Sequence, residues 1–154
     1  MKKHLYEIIT RWKRAKETSF EYPDYSRNHT IQTEGRPLIL SSSDKAFNGD
    51  PSRYNPEELF ISSISSCHML WYLHLCATNK ISVVDYLDRA EGTMVEESSG
   101  SGRFSEVLLN PVVKITESNK KELAVKLHQE ANRFCFIANS CNFEIKHNPT
   151  IDIL

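Results

Sequence analysis

The spacing of apolar and polar residues divides this chain into segments of different period. Residues 4–14 alternate loosely, with Leu5, Ile8 or Ile9, and Trp12 apolar. That predicts a first strand with charged residues on one face. Residues 15–26 hold Thr18, Ser19, Pro23, Asp24 and Ser26, with Phe20, Tyr22 and Tyr25 interleaved, and predict a loop. HTIQT (29–33) and LILS (38–41) predict two strands. The tight turn Glu34-Gly35-Arg36-Pro37 between them makes a hairpin. Residues 42–54 are polar and lead into the most distinctive stretch of the chain.

That stretch is NPEELFISSISSCHMLWYLHLCATN, residues 55–79. No residue from Leu59 to Asn79 carries a fixed charge, and apolar residues fall on every side of a helical wheel. A helix apolar all round is a buried helix. Asn55 is placed to cap it, Pro56 suits the first helical position, and Glu57 and Glu58 put negative charge at the positive end of the dipole. Four serines precede Cys67. A membrane span needs roughly 20 apolar residues, but these serines, His68, His74 and the polar strand-like flanks argue for a core helix instead.

The period then shortens again. Residues 81–96 predict a strand that bends near Gly92, ESSGSG (97–102) a turn, and 103–116 the antiparallel partner. Pro111 implies an edge or a bulge. Ser118 is placed to cap a second helix over 119–134, with Leu123, Val125, Leu127, Ala131 and Phe134 on its apolar repeat. FEIKH (143–147) predicts a last strand before a short tail. The order βββ–α–ββ–α–β is α+β, antiparallel sheet segregated from two longer helices.

Composition narrows the class. At 154 residues the chain predicts one domain over 1–154 with a real core. A net charge of -1 makes no electrostatic case for nucleic acid or an anionic membrane. The N-terminus has no continuous apolar run of the signal-peptide kind, so a cytoplasmic chain with reduced thiols is the expectation. The cysteines at 67, 76, 135 and 141 include no C-x-x-C and lack zinc-site spacing, and no cofactor is implied.

Cysteine chemistry is the candidate function. An apolar setting alone would raise the pKa of Cys67 and disarm it. A reactive Cys67 needs a cation nearby and a carboxylate to hold that cation. Glu57 precedes Cys67 by ten residues, roughly 15 Å of axial rise on a straight helix. Direct contact therefore requires a break near the serine run. His74 reads as a buried histidine satisfied by a backbone carbonyl. Cys135 and Cys141 have similar claims as a second thiol, and Cys76 reads as a core residue. Cys67 and His68, adjacent on a helix, make a poor metal chelate.

NPEELF…SSCHMLWYLHLC (55–76), followed by ANRFCFIANS (131–140), resembles the OsmC/Ohr family of thiol-dependent hydroperoxide reductases. The resemblance covers nearly the whole chain. It implies an intertwined homodimer with the long helices buried at its centre and the sites at the interface. It also implies organic hydroperoxides as substrates and an external dithiol as reductant. Cys67 would attack the peroxide and become a sulfenic acid, and Cys135 would condense with it to a disulfide. The family's arginine, oriented by Glu57, is met here by Arg27 from the first loop, favoured, or by Arg53 just before the helix. This chain departs from its relatives in having Phe136 after the second cysteine, where many have Pro, and an extra thiol at Cys141. Two other readings remain open: a non-catalytic module binding a small apolar ligand, and a redox sensor.

Overall fold

The computed structural model describes residues 2–15, 19–22 and 24–154. Thr18 and Pro23, assigned to a loop by sequence, lie outside the described residues. The chain falls into two compact units, one ending at Leu59 and one from Phe60 to Leu154.

The first unit holds a sheet of order β1-β2-β3, made of β1 (Ile9–Arg11), β2 (His29–Gln32) and β3 (Ile39–Ser41). All pairs are antiparallel, with Thr30 opposite both Arg11 and Leu40. The first strand is three residues long, much shorter than its alternation suggests. The β2–β3 turn passes through Gly35 at φ 71, a conformation that favours glycine. In the polar loop, Asp44 caps a short 3-10 turn, Lys45–Phe47.

α1 (Pro56–Thr78) opens as its sequence predicts. The Glu58 amide donates to Asn55 Oδ1 at 2.8 Å, and the Asn55 amide donates back to Glu58 Oε2 at 3.1 Å. This reciprocal capping box satisfies two donors at the helix start. It occupies Glu58 and leaves Glu57 for other work.

In the second unit, the single bent strand expected over 81–96 is two strands, β4 (Val83–Asp88) and β5 (Glu91–Glu96). Its partner is likewise two, β6 (Gly102–Leu109) and β7 (Pro111–Ile115). The halves belong to different sheets, ordered β4-β7-β9 and β5-β6-β8. Pro111 is neither at an edge nor in a bulge. It opens the central strand β7, and the first position of a strand is one that tolerates proline. After α2 (Lys121–Phe134) come β8 (Glu144–His147) and β9 (Thr150–Ile153), the latter in what was read as a tail. Both add in parallel, β8 to β6 and β9 to β7, so the two sheets are mixed. The fold is α+β, as expected.

α2 also departs from expectation in detail. Residues 118–120 form a 3-10 turn before it, and no side chain caps the helix. Its buried residues are Ala124, Leu127, His128 and Ala131, while Leu123 and Val125 are exposed. The buried stripe is thus rotated, because His128 belongs to it.

Two apolar clusters fill the second unit. Tyr72, Cys76, Val113, Ile115, Leu127 and Ala131 form one, and Ile64, Val107, Leu109 and Ile145 the other. Gly92 marks a close approach, since a Cβ there would stand 2.6 Å from Ile61 Cδ1 on α1. α1 is buried only along Ile64, His68, Tyr72 and Cys76, a seam at four-residue spacing. Leu70 on another face is 62% exposed. A single copy therefore buries one face of a helix that is apolar on all of them.

Candidate active site

Cys67 and Cys135 are presented to one another by the two helices of the second unit. Cys67 lies within α1 and is partly buried, and Cys135 follows the last residue of α2 and is fully buried. Burial, and then a hydrogen bond with Cys67, push the Cys135 thiol up to about 11. Cys135 is therefore a thiol at neutral pH, with the Cys67 sulfur beside it. The Ala138 amide, in the turn after Cys135, also donates to Cys135 Sγ at 3.4 Å. No disulfide links any of the four cysteines in this structure.

The other two thiols are engaged elsewhere. Cys141 Sγ donates to the Ile137 carbonyl at 3.3 Å and packs against the Ile64 cluster. Cys76 is buried in the other cluster, where burial raises its pKa. Between the two candidate partners left open by sequence, the fold brings Cys135 to Cys67.

Aromatic rings flank the thiol pair. Trp71, one helical turn beyond Cys67, stacks on Phe134 with ring centroids 5.2 Å apart and meets Phe136 edge-on at 5.8 Å. Phe134 and Phe136 are the chain neighbours of Cys135. His74 is exposed and packs edge-to-face on Trp71, not buried as expected. A helix face that stays open in one copy accounts for the difference.

The serine run does not break α1. Ser63 and Ser66 return their hydroxyls to backbone carbonyls within the helix, and Ser65 donates to Asp88 at the end of β4. α1 runs without interruption from Pro56 to Thr78.

Next to Cys67 on α1, His68 takes part in a pairing that sequence reasoning missed. His68 Nε2 and His128 Nδ1 are 3.0 Å apart, and both side chains are buried. Tyr72 stacks on His128 at 3.8 Å, and the His147 ring tilts 5.7 Å from that of His68. Burial lowers His68 to about 4 and His128 to about 3, each assisted by neighbouring imidazoles, so both are neutral at pH 7. The signal available in the sequence was a histidine on the apolar stripe of α2. Among the described residues, no three metal-ligating side chains are arranged to hold an ion.

The first unit carries the charged candidates. Arg27 lines a cavity of about 440 Å³ together with Trp12, Phe20, Tyr25, His29 and Pro56. Its guanidinium lies 3.9 Å from the Tyr25 ring centroid, and Nη1 donates to the Tyr25 carbonyl. Glu57, next to Pro56, is half-buried, and its Oε2 has no hydrogen-bond partner among the described residues. Arg53 does not line this cavity and instead pairs with Asp50 at 3.5 Å.

An α+β fold with two thiols facing one another from its two longer helices defines the class. The OsmC-like protein family model matches residues 49–150, and the chain belongs to that family. An OsmC-like protein of unknown function from Vibrio cholerae is 33% identical, with a TM-score of 0.86 over 97% of this chain and 99% of that one. An organic hydroperoxide resistance protein from Elizabethkingia anophelis shares the fold, with a TM-score of 0.66 and 18% identity over 99% of this chain and 100% of that one. An uncharacterised protein of Methanocaldococcus jannaschii is 26% identical over 95% of this chain and 73% of its own length.

Proposed function

We propose that this protein is a cytoplasmic thiol-dependent peroxidase that reduces organic hydroperoxides to alcohols. The observation that carries the reading is the pairing of Cys67 with the protonated, buried Cys135. Membership of a family that includes proteins named for organic hydroperoxide resistance supports it.

The Cys67 thiolate attacks the terminal oxygen of the hydroperoxide. The O–O bond breaks, Cys67 becomes a sulfenic acid, and the alkoxide takes a proton and leaves as alcohol. Cys135 then attacks the sulfenic sulfur. A disulfide forms, and the hydroxyl leaves as water with the Cys135 proton. An external dithiol reduces this bridge by exchange and is itself oxidised to a disulfide.

Arg27 holds the peroxide and stabilises the thiolate, and Glu57 orients Arg27. The aromatic cavity beside Arg27 and the unpartnered Glu57 oxygen support these roles. An unbroken α1 keeps Glu57 about 15 Å along the axis from Cys67 of its own chain. The working site is therefore assembled in a homodimer, where a second copy supplies Arg27 and Glu57. The apolar α1 face exposed at Leu70 supports that assembly.

Rapid mixing of reduced protein with cumene hydroperoxide and with hydrogen peroxide tests the proposal, followed by peptide mapping. The expected result is fast oxidation by the organic peroxide and a bridge between Cys67 and Cys135. A thiol that reacts no faster than free cysteine would overturn it.

A further inference from the structure

The two thiols meet only at one alignment of α1 with α2. A disulfide requires Cα atoms roughly 4.4–6.8 Å apart. A slide of one residue along a helix displaces a side chain by about 1.5 Å, and a slide of one turn by about 5.4 Å. Most buried residues along these helices are poor at choosing an alignment. Ala124, Leu127, Ala131 and Ile64 make non-directional contacts. The contact between His68 and His128 is different. It joins one nitrogen on each helix at 3.0 Å, and a hydrogen bond of that length fails after a small slide.

The placement of this pair relative to the thiols is direct. His68 follows Cys67 in α1, and His128 precedes Cys135 by seven residues, close to two turns of α2. We infer that the His68–His128 hydrogen bond is a register clamp that fixes α1 against α2 and so holds Cys67 opposite Cys135. The two histidines are positioning residues. The inference rests on the pairing of the two thiols and does not depend on peroxide chemistry.

Stability gives no account of the pair. His68 Nδ1 and His128 Nε2 are buried without a hydrogen-bond partner among the described residues. Burying polar atoms unsatisfied is unfavourable, and an apolar pair of similar size would avoid it. A buried polar contact that selects one register at a cost in stability is known from helical assemblies. The rings of Tyr72 and His147 pack against the clamp, Tyr72 on His128 and His147 on His68.

The test is the thiol–disulfide equilibrium of the folded protein, in mixtures of reduced and oxidised dithiothreitol and in a Cys141→Ser background. Cys67 and Cys135 lose two electrons and two protons to the cyclic disulfide, which becomes the dithiol. His128→Phe keeps a ring against Tyr72 and removes the nitrogen. It is expected to shift the equilibrium at least about tenfold toward the protein dithiol, with a lowered melting temperature because His68 Nε2 loses its partner. The paired replacement of both histidines by Phe is expected to recover the melting temperature but not the equilibrium. His128→Asn places an amide atom where Nδ1 stood and is expected to recover most of that shift. An unchanged equilibrium in His128→Phe would overturn the clamp. If that variant does not fold, the wild type answers instead. A ¹⁵N–¹⁵N coupling between His68 and His128 is expected in both the dithiol and disulfide forms, and its absence from either overturns the inference.

Discussion

Cys135 faces Cys67 in the second unit, and its own burial, with the Cys67 sulfur beside it, keeps it protonated to about pH 11. This asymmetry separates the roles of the two sulfurs. The fully buried thiol is the poorer first nucleophile, and the partly exposed one is open to a substrate. Cys67→Ser is expected to abolish peroxide turnover. Cys135→Ser is expected to consume about one peroxide per chain and stop at a sulfenic acid, trapped by a dimedone adduct in mass spectrometry. Cys141→Ser is expected to turn over normally in a coupled dithiol assay.

The arginine assignment is tested by comparing two variants. Arg27→Met removes the cation from the aromatic cavity and is expected to lower kcat/KM by on the order of 100-fold. Arg53→Met removes only the partner of Asp50 and is expected to change it less than about threefold. Equal losses in the two would remove Arg27 from its proposed role.

Acid should destabilise this protein over a defined range. His68 and His128 titrate near 4 and 3 in the folded state, below the ordinary 6.5, chiefly because they are buried. Between pH 6.5 and about 4 the unfolded chain binds protons that the folded chain does not. Stability is therefore full above pH 6.5 and falls as pH drops through that window. The slope approaches about 2.7 kcal/mol per pH unit for two such groups. His128→Asn removes one of them, and urea denaturation at several pH values should show the slope fall by roughly half.

The exposed apolar face of α1 is the proposed dimer surface. Leu70→Glu places a charge there, 62% exposed in a single copy. Sedimentation velocity is expected to show the wild type as a dimer and the variant shifted to monomer. A wild type that sediments as a monomer would count against the assembled site.

The cap of α1 makes a local prediction. Asn55→Ala removes the acceptor of the Glu58 amide and is expected to cost about 1 kcal/mol, seen as a lower melting temperature.

Much of this molecule was legible in its sequence, because the signals were local. The Asn-Pro-Glu-Glu start of α1 acts within one helical turn, so its cap and its length could be read directly. The Gly35 turn and the β2–β3 hairpin are local in the same way. Sheet membership was not, because partners far apart in sequence set it. Nothing near residue 150 announces a strand until β7 offers an open edge 38 residues earlier. Pro111 misled for the same reason, since its tolerance depends on where the strand begins and not on whether it is central.

The candidate site divides along the same line. The sequence by itself determined the chemistry available: the thiol in an uncharged helix, the thiol after α2, the glutamate behind its proline and two possible arginines. Only the tertiary structure decided that Cys135 and not Cys141 meets Cys67, that Arg27 and not Arg53 lines an aromatic cavity, and that His128 and His68 share a hydrogen bond. A residue type is set by one position in the chain, whereas a pairing across 60 or more residues is set by how helices and sheets pack, and that packing is a property of the whole chain.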